Sequence, residues 1–401
     1  MNEKKRILIV TSGNLARNPR PAKEAATLAR GGYEVSVLFP SEGPVWDAAD
    51  REAARAGGYA VQPLTITPLP GARFLRRLDR WMAVRALALG WERSAALGPA
   101  RALARVASAQ AFHLAIVHNE LGFWCGRRLL ATGRPFAADF EDWYSEDLLP
   151  SDRRHRPLRL LRALESMMLH QAAFTTTPSK ALSEMLHVRY GGRPSEVITN
   201  SFPLQPDPRR RDAGEPVRCL WFSQTIGPGR GLEAFLRSWA QLPAPPTVTL
   251  VGDARPGFPE QLRATLPPHA LDQLRFEKPV AARDLPSLVA RHDVGLALEE
   301  GKIPNRDGAA TNKLLQYLNA GLAVIATPTA GQREVLAEAP DAGVFFDPSR
   351  PDDGAWRELL AGGDRLRRAQ QAARHAAEIR FSWEKEEPRL LHLVAQALAT
   401  R

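Results

Sequence analysis

The sequence predicts an α/β protein with two doubly wound domains, each a parallel sheet between layers of helices. In the first half, short apolar runs rich in β-branched residues alternate with helix-like stretches. Residues 203–216 then contain four prolines and no apolar periodicity, which is typical of a linker. The same alternation restarts after residue 216, and a length of 401 residues is too great for one core. Together these observations indicate two α/β domains.

The N-terminal stretch shows the pattern most clearly. Residues 6–10 form a buried strand that ends in a glycine turn, and residues 21–30 form a helix that stops at Gly31 and Gly32. Residues 34–39 form the next strand, which completes a right-handed βαβ unit. Further strands are predicted over residues 114–117, 136–139, 173–177 and 196–199.

The second half repeats this order. Residues 217–222 predict a strand, residues 227–231 a glycine-rich loop and residues 232–240 a helix. Five more strands are predicted over residues 248–251, 274–276, 294–298, 323–326 and 343–346. The domains are therefore expected at residues 1–204 and 217–380, with a C-terminal helix over 381–401 that packs back on the first domain. Two Rossmann-like domains of this kind imply a deep cleft, with ligands at the carboxyl ends of the strands.

The net charge and the two cysteines bear on the partners of the protein and on its cellular compartment. Lys and Arg number 54 against 44 Asp and Glu, a formal net charge of +10, but the arginines are spread along the chain. A nucleic-acid binder concentrates its charge on one face, so no nucleic-acid partner is expected. Cys125 and Cys219 fit a reducing compartment, and no apolar run reaches the roughly 18 residues that span a bilayer. The expectation is a soluble, cytoplasmic protein.

Two segments of the second domain are candidates for binding an anion. Thr311 caps a helix that runs to Gly321, and the free N–H groups at a helix start attract phosphate. The loop Gly227–Gly231 follows a strand, and its Arg230 offers a guanidinium fork for a phosphate. The alternative reading of both segments is ordinary connection between helices and strands.

Two features of the first domain also stand out. His118 ends a buried strand, where active sites of parallel sheets form, although a structural histidine fits that position equally well. Residues 73–91 combine Phe74, Trp81 and Trp91 with arginines at helical spacing. Such a basic amphipathic helix suits an anionic membrane surface; the alternative is a helix packed on its own domain. The arginines of this helix are Arg73, Arg76, Arg77, Arg80 and Arg85. No set of His, Cys or carboxylates has the spacing of a metal site.

In this order the segments resemble family 4 glycosyltransferases of the GT-B fold, and the resemblance covers nearly the whole chain. It is carried in the first half by residues 6–13, Asn18-Pro-Arg20, His118-Asn119, Pro178-Ser-Lys180 and residues 197–200. In the second half it is carried by residues 229–233, residues 312–321, residues 323–327 and Gly331 to Glu334.

The resemblance implies a retaining transfer of a sugar from a nucleotide-sugar to the hydroxyl of a saccharide or lipid-linked acceptor, without a metal or other cofactor. The donor is expected on the second domain, with its diphosphate on Arg230, Lys313 and Asn312 and its nucleotide on Gln316. The acceptor is expected on the first domain. There, a neutral His118 would position the transferred sugar, and the loop residues would be Gly13, Arg20 and Glu141.

Departures from the family pattern keep two alternatives open. The paired glutamates of the family fall on Gly308 and Gln316, so the donor site lacks both carboxylates. A non-catalytic protein on the same fold is one alternative. The other is a nucleotide-sugar epimerase, which shares the two-domain architecture but uses carboxylate acid–base groups.

Overall fold

The computed structural model describes residues 4–65, 70–87, 89–153, 156–206, 215–351 and 354–400. Within these ranges the chain divides into two compact units. Unit 1 comprises Met1–Ile198 and Glu387–Arg401, and unit 2 comprises Thr199–Glu386. Residues 207–214 of the predicted linker lie outside the described residues.

Unit 1 contains a seven-stranded parallel sheet with the order β3-β2-β1-β4-β5-β6-β7. Its strands are β1 (Arg6–Val10), β2 (Glu34–Pro40), β3 (Ala60–Leu64), β4 (Leu114–His118), β5 (Phe136–Asp139), β6 (Thr175–Thr177) and β7 (Glu196–Val197). The chain progresses outward from β1 in both directions, so the strand order reverses between β1 and β4. Ligands of such sheets bind at this reversal, outside the carboxyl ends of the strands.

In the described ranges of unit 1, eight α-helices lie between the strands. They are α1 (Pro19–Arg30), α2 (Pro44–Gly57), α3 (Pro70–Leu87), α4 (Ala100–Ala109), α5 (Asn119–Leu130), α6 (Pro150–Arg153), α7 (Leu158–Gln171) and α8 (Lys180–Tyr190). Helix α1 begins where the side chain of Asn18 accepts a hydrogen bond from the Arg20 N–H, with Pro19 at the first helical position. This cap fixes the direction in which Arg20 and Glu24 leave the helix.

Unit 2 contains a six-stranded parallel sheet with the order β10-β9-β8-β11-β12-β13. The strands are β8 (Arg218–Ile226), β9 (Thr247–Ala254), β10 (Leu274–Glu277), β11 (Val294–Ala297), β12 (Ala323–Ala326) and β13 (Gly343–Phe345). The order reverses between β8 and β11, which corresponds to the β1–β4 reversal of unit 1.

The helices of unit 2 are again placed between successive strands. They are α9 (Leu232–Trp239), α10 (Phe258–Ala264), α11 (Pro268–Leu271), α12 (Leu285–Val289), α13 (Pro304–Gly308), α14 (Asn312–Asn319), α15 (Ala330–Glu338), α16 (Ala355–Leu360) and α17 (Gly363–Ile379). The last helix, α18 (Trp383–Ala399), begins in unit 2 and ends in unit 1.

The predicted fold class is confirmed: both sheets are parallel and both have doubly wound connections. Several elements differ in extent from the sequence-based expectation; for example, the strand predicted over residues 196–199 is seen only as Glu196–Val197. Strand β3 was not predicted, because Pro63 interrupts its pattern and only an edge strand tolerates a proline. Strand β8 runs on to Ile226 after a register shift between Phe222 and Thr225.

Among the described residues, no helix has both the length and the apolar character needed to cross a bilayer.

Candidate functional site

The reversal point of the unit 2 sheet brings together Arg230 and Lys313, as the sequence suggested. Arg230 lies in the loop after β8, between Gly229 and Gly231, whose φ angles are 75° and 71°. These left-handed conformations favour glycine and turn the loop sharply before α9. Arg306 of α13 donates a hydrogen bond to the Gly229 carbonyl and so links this loop to α13.

Both cations bind one buried carboxylate, Glu299, just after β11. Lys313 Nζ lies 2.6 Å from Glu299 Oε1, and Arg230 Nη1 lies 3.2 Å from Oε2. Thr327, directly after β12, accepts a hydrogen bond of 2.8 Å from the Glu299 N–H. Two cations against one carboxylate leave an excess of one positive charge in this group. The group can therefore bind an anion while Glu299 stays paired with a cation.

Burial and the neighbouring charges together set the pKa values of Glu299 and Lys313. Burial alone raises the pKa of Glu299, but Lys313 and Arg230 outweigh it and hold this pKa below its ordinary value. Burial also lowers the pKa of Lys313, and Glu299 opposes that shift. A bound phosphate would relieve the mutual repulsion of the two cations.

Helix α14 starts beside these cations. The Thr311 side chain accepts a hydrogen bond from the Leu314 N–H, which caps the helix. Asn312 is exposed at the first helical position, and Gln316 is half-buried one turn later. Gly308, which occupies the other family glutamate position, is buried at the end of α13. The structure thus places Arg230, Lys313, Asn312 and Gln316 in one region of unit 2; their roles as donor ligands stay predictions.

In unit 1, a buried network of charges occupies the ends of β4 and β5. Arg20 of α1 is fully buried; its Nε lies 2.8 Å from Asp139 Oδ2 and 3.3 Å from Glu24 Oε1. Its Nη1 donates a hydrogen bond of 2.8 Å to the Ile198 carbonyl. Arg20 therefore fastens α1 to the ends of the sheet strands.

His118 is held between two carboxylates of this network. Its Nε2 lies 3.1 Å from Glu24 Oε2, and its Nδ1 lies 3.0 Å from Glu141 Oε1. Burial alone lowers the pKa of His118, but Glu24 and Glu141 outweigh burial and raise it to about 10. The carboxylates of this network therefore favour the imidazolium over the expected neutral imidazole. The His118 side chain has 0% exposure, with Nδ1 hydrogen-bonded to Glu141 and Nε2 at ion-pair distance from Glu24. Its effect on a sugar stays a prediction.

Asn119 connects the ends of three strands of the unit 1 sheet. Its φ of 60° makes it the one described non-glycine residue in the left-handed region. Its Oδ1 accepts a 2.7 Å hydrogen bond from the Thr11 hydroxyl, and its Nδ2 lies 3.4 Å from Glu141 Oε1 and 3.2 Å from the Tyr144 hydroxyl. Such backbone strain persists where surrounding contacts enforce it, and it clusters at functional sites.

Gly13 lies in the loop after β1, at the same edge of the sheet. A side chain there would meet Glu42, since an added Cβ would lie 2.6 Å from Glu42 Oε1. The neighbouring Asn14 is buried and binds Asp47, Asp50 and the Glu42 N–H. Of the predicted first-domain residues, Arg20, His118 and Glu141 belong to one network, and Gly13 lies beside the Asn14 contacts.

Glu24, His118 and Asp139 also offer ligand atoms within 4.8 Å of one another, which is close enough to hold a metal ion. The guanidinium of Arg20 already forms ion pairs with both carboxylates, at 2.8 Å from Asp139 and 3.3 Å from Glu24. The Nδ1 of His118 already binds Glu141, and its Nε2 lies 3.1 Å from Glu24. The chemistry of these residues therefore fits an internal ion network better than a metal site.

Sequence reasoning missed Glu299, Glu24 and Asn119 as parts of the two groups. Glu299 and Asn119 each follow a buried strand directly or within two residues, which is the one signal that could have found them. Glu24 sits in an alanine-rich helix and carries no such signal.

The amphipathic helix is seen as α3, but the side chains of Arg73, Phe74, Arg76 and Arg77 lie outside the described residues. Beyond them, Trp81 is 54% exposed and Met82 43%. Leu89 and Trp91 follow the helix and are 75% and 70% exposed. The Arg85 guanidinium lies 4.8 Å above the Trp81 ring. The exposed aromatic and basic side chains of this segment are therefore next to each other. The membrane role of the helix stays a prediction.

Residues 217–361 match the family model described as glycosyl transferases group 1. No curated protein shows significant sequence similarity to the chain. Among solved structures, a sucrose-phosphate synthase from Thermosynechococcus elongatus has a TM-score of 0.72 at 14% identity, covering 99% of this chain and 100% of that one. Anabaena HepE, solved with UDP and glucose, has a TM-score of 0.68 at 17% identity, with the same coverage.

A putative UDP-N-acetylglucosamine 2-epimerase from Listeria monocytogenes is also similar in fold, with a TM-score of 0.60 at 11% identity over 98% of this chain and 96% of that one. The architecture is thus shared by proteins named for transfer and for epimerisation, and it is the family match that favours transfer. The chain has the GT-B fold of these solved structures, and its residues 217–361 match the glycosyl transferases group 1 model, in agreement with the resemblance stated from the sequence.

Proposed function

We propose that the protein is a retaining glycosyltransferase that moves a sugar from a nucleotide-sugar to an acceptor hydroxyl. The observation that carries this proposal is the Arg230–Glu299–Lys313 group at the reversal point of the unit 2 sheet. Its excess positive charge and the adjacent start of α14 suit the diphosphate of such a donor. The structure of HepE with UDP and glucose, which has the same fold, supports a uridine-type donor.

Transfer breaks the bond between the anomeric carbon and the diphosphate oxygen and forms a bond from the acceptor oxygen to the same face of that carbon. Negative charge develops on the departing phosphate, which takes the proton of the acceptor hydroxyl and leaves as part of the nucleoside diphosphate. Arg230 and Lys313 would stabilise that charge in place of a divalent cation. We therefore expect turnover to be unchanged in excess EDTA. A loss of turnover that added Mg²⁺ or Mn²⁺ restores would contradict this part of the proposal.

The test of the function is incubation with a panel of nucleotide-sugars, followed by ³¹P and ¹H NMR. A transferase releases nucleoside diphosphate, slowly to water and faster to an acceptor, and a retaining one gives a product with the donor's anomeric configuration. Interconversion of nucleotide-sugars without release would instead show an epimerase. Absence of both binding and turnover would favour the non-catalytic alternative and contradict the proposal.

Gln316 allows a narrower test of the nucleotide side. If Gln316 faces the ribose hydroxyls, Gln316→Glu restores a charged acceptor, so UDP affinity measured by calorimetry should be preserved or improved. The matched control is Gln371→Glu at an exposed position of α17, which should leave the affinity unchanged. A collapse of UDP binding in Gln316→Glu alone would show that this side chain faces elsewhere.

We further propose that the acceptor is a cell-surface saccharide or glycolipid precursor and that α3 holds the protein at the inner face of the cell membrane. Exposed Arg80 and Arg85 lie beside exposed Trp81 and Met82. Each Arg near an anionic surface contributes about 1 kcal/mol to binding, and the aromatic rings favour the interface.

Liposome flotation tests this membrane proposal. Binding should rise with the fraction of anionic lipid and fall with salt. Replacing Arg80 and Arg85 by Ser should reduce it roughly tenfold or more, since two charges are lost. The equivalent change of Arg51 and Arg55 on α2 is the control and should have little effect. Equal binding to neutral and anionic vesicles would contradict the electrostatic attraction.

A further inference from the structure

We propose that Glu141 Oε2 is the group of unit 1 that binds a hydroxyl of the acceptor sugar. This inference rests on the proposed function and deepens it, because it names the residue and the atom that meet the acceptor. It follows from the hydrogen bonds of one carboxylate, which are distributed unevenly between its two oxygens.

All three hydrogen bonds that the described residues make to this carboxylate end on Oε1. Asn18 Nδ2 and His118 Nδ1 each lie 3.0 Å from Oε1, and Asn119 Nδ2 lies 3.4 Å from it. Oε2 accepts none of them. One oxygen is thus fixed by donors from the start of α1 and the end of β4, while the other keeps its full capacity to accept.

The rest of the network is closed to a ligand. The side chains of Arg20 and His118 have 0% exposure, and those of Glu24 and Asp139 have 1%. The Glu141 side chain is 9% exposed, so among these residues it is the one that a ligand can reach. His118 then acts as a positioning residue: its imidazolium orients Glu141 and does not itself contact the sugar.

The support for Glu141 is rigid. Asn119, with its left-handed φ of 60°, binds Glu141 with its amide nitrogen and Ser12 with its amide oxygen, at 3.1 Å from the Ser12 hydroxyl. The exposed Ser12 hydroxyl therefore stands at the same edge of the sheet. A carboxylate oxygen held in this way loses little conformational entropy when it accepts a hydrogen bond.

The charges of the network select the class of ligand. Two cations, Arg20 and His118, face the three carboxylates of Glu24, Asp139 and Glu141, so no positive charge remains for an anion. A neutral group that donates a hydrogen bond suits such a site. The hydroxyls of a saccharide provide that donor, and charge-assisted hydrogen bonds to a carboxylate are the strong kind.

The sharpest variant is Glu141→Gln. Its carbonyl oxygen can keep the three donors of Asn18, His118 and Asn119, which places an NH₂ donor where Oε2 accepted. The side chain keeps its shape, but at the position of Oε2 it donates a hydrogen bond instead of accepting one. The matched control is Glu34→Gln, the same chemical change on an exposed residue at the opposite, amino end of β2.

The experiment is saturation-transfer-difference NMR on the full chain with UDP present. The probes are methyl α-D-glucopyranoside, methyl α-D-mannopyranoside and methyl β-D-galactopyranoside. We expect saturation of at least one glycoside by the wild type and the Glu34→Gln control, and a reduction of at least tenfold in Glu141→Gln. Glu141→Asp keeps the negative charge, but its side chain is one methylene shorter and places the carboxylate farther from the ligand. An intermediate signal is therefore expected. No signal in the wild type, or equal signals in wild type and Glu141→Gln, would overturn the inference.

UDP calorimetry on the same samples separates this inference from the proposed function. Glu141→Gln should bind UDP as the wild type does, because Glu141 belongs to unit 1. UDP binding without a glycoside signal would remove the role of Glu141 and leave the donor assignment intact. A glycoside signal without UDP binding would contradict the donor assignment and leave the hydroxyl site in place.

Discussion

Replacing Arg230 or Lys313 by Ala is expected to weaken the binding of a nucleoside diphosphate by roughly 1.5–3 kcal/mol, or about tenfold to a hundredfold in Kd. Both side chains approach the same carboxylate, Glu299, at 3.2 Å and 2.6 Å. Each truncation removes one charge-assisted donor to the phosphate and also cancels the excess positive charge of the group. Isothermal calorimetry with UDP measures the change.

Two controls make this result specific. Arg237→Ala removes an exposed cation from α9 of the same unit and should leave the affinity for UDP unchanged. Thermal melts of Lys313→Ala are needed because this truncation leaves the buried Glu299 with fewer partners. Unchanged affinity in both Arg230→Ala and Lys313→Ala would contradict the assignment of the diphosphate to these residues.

His118→Ala is expected to destabilise unit 1 by about 3–5 kcal/mol, because it leaves the three carboxylates of the buried unit 1 network with Arg20 as the one remaining cation of this network. His118 lies 3.1 Å from Glu24 Oε2 and 3.0 Å from Glu141 Oε1, and both contacts are lost in this variant. Chemical denaturation gives the free energy of unfolding, and His187→Ala on the exposed face of α8 is the control.

The pH dependence of stability tests the same contacts. The pKa of His118 is raised from 6.5 to about 10 in the folded chain. The folded chain thus holds a proton that the unfolded chain has released, and stability falls as the pH rises between these values. The contribution is present in full below pH 6.5 and is lost through about pH 10. His118→Gln should show a shallower decline from pH 7 to 10; parallel curves would contradict a buried imidazolium.

The fold could be predicted from the sequence because the local patterns of strands and helix ends match the positions of these elements in the two sheets. Apolar strands such as residues 6–10 and 294–297 are buried on both faces, and the glycine stops at Gly31 and Gly321 end helices as predicted. Strand β3 was missed because it is a half-exposed edge strand that contains Pro63.

The candidate site could be predicted only in part. Arg230 and Lys313 lie in segments with a loop or capping signal, but their shared carboxylate Glu299 is 69 and 14 residues away in the chain. Glu24 and Glu141 similarly reach His118 from α1 and from the loop after β5. The charge state of a buried histidine depends on such distant partners, so no local pattern near His118 could reveal it.

The central claim is that the Arg230–Glu299–Lys313 group is where a nucleotide-sugar loses its diphosphate. The most direct measurement is the rate of nucleoside diphosphate release from the preferred nucleotide-sugar at saturating donor, in wild type, Lys313→Ala and Arg237→Ala. We predict release by the wild type and the Arg237→Ala control, and a loss of at least tenfold in Lys313→Ala. Equal release by all three proteins, or no release by the wild type from any nucleotide-sugar, would contradict the claim.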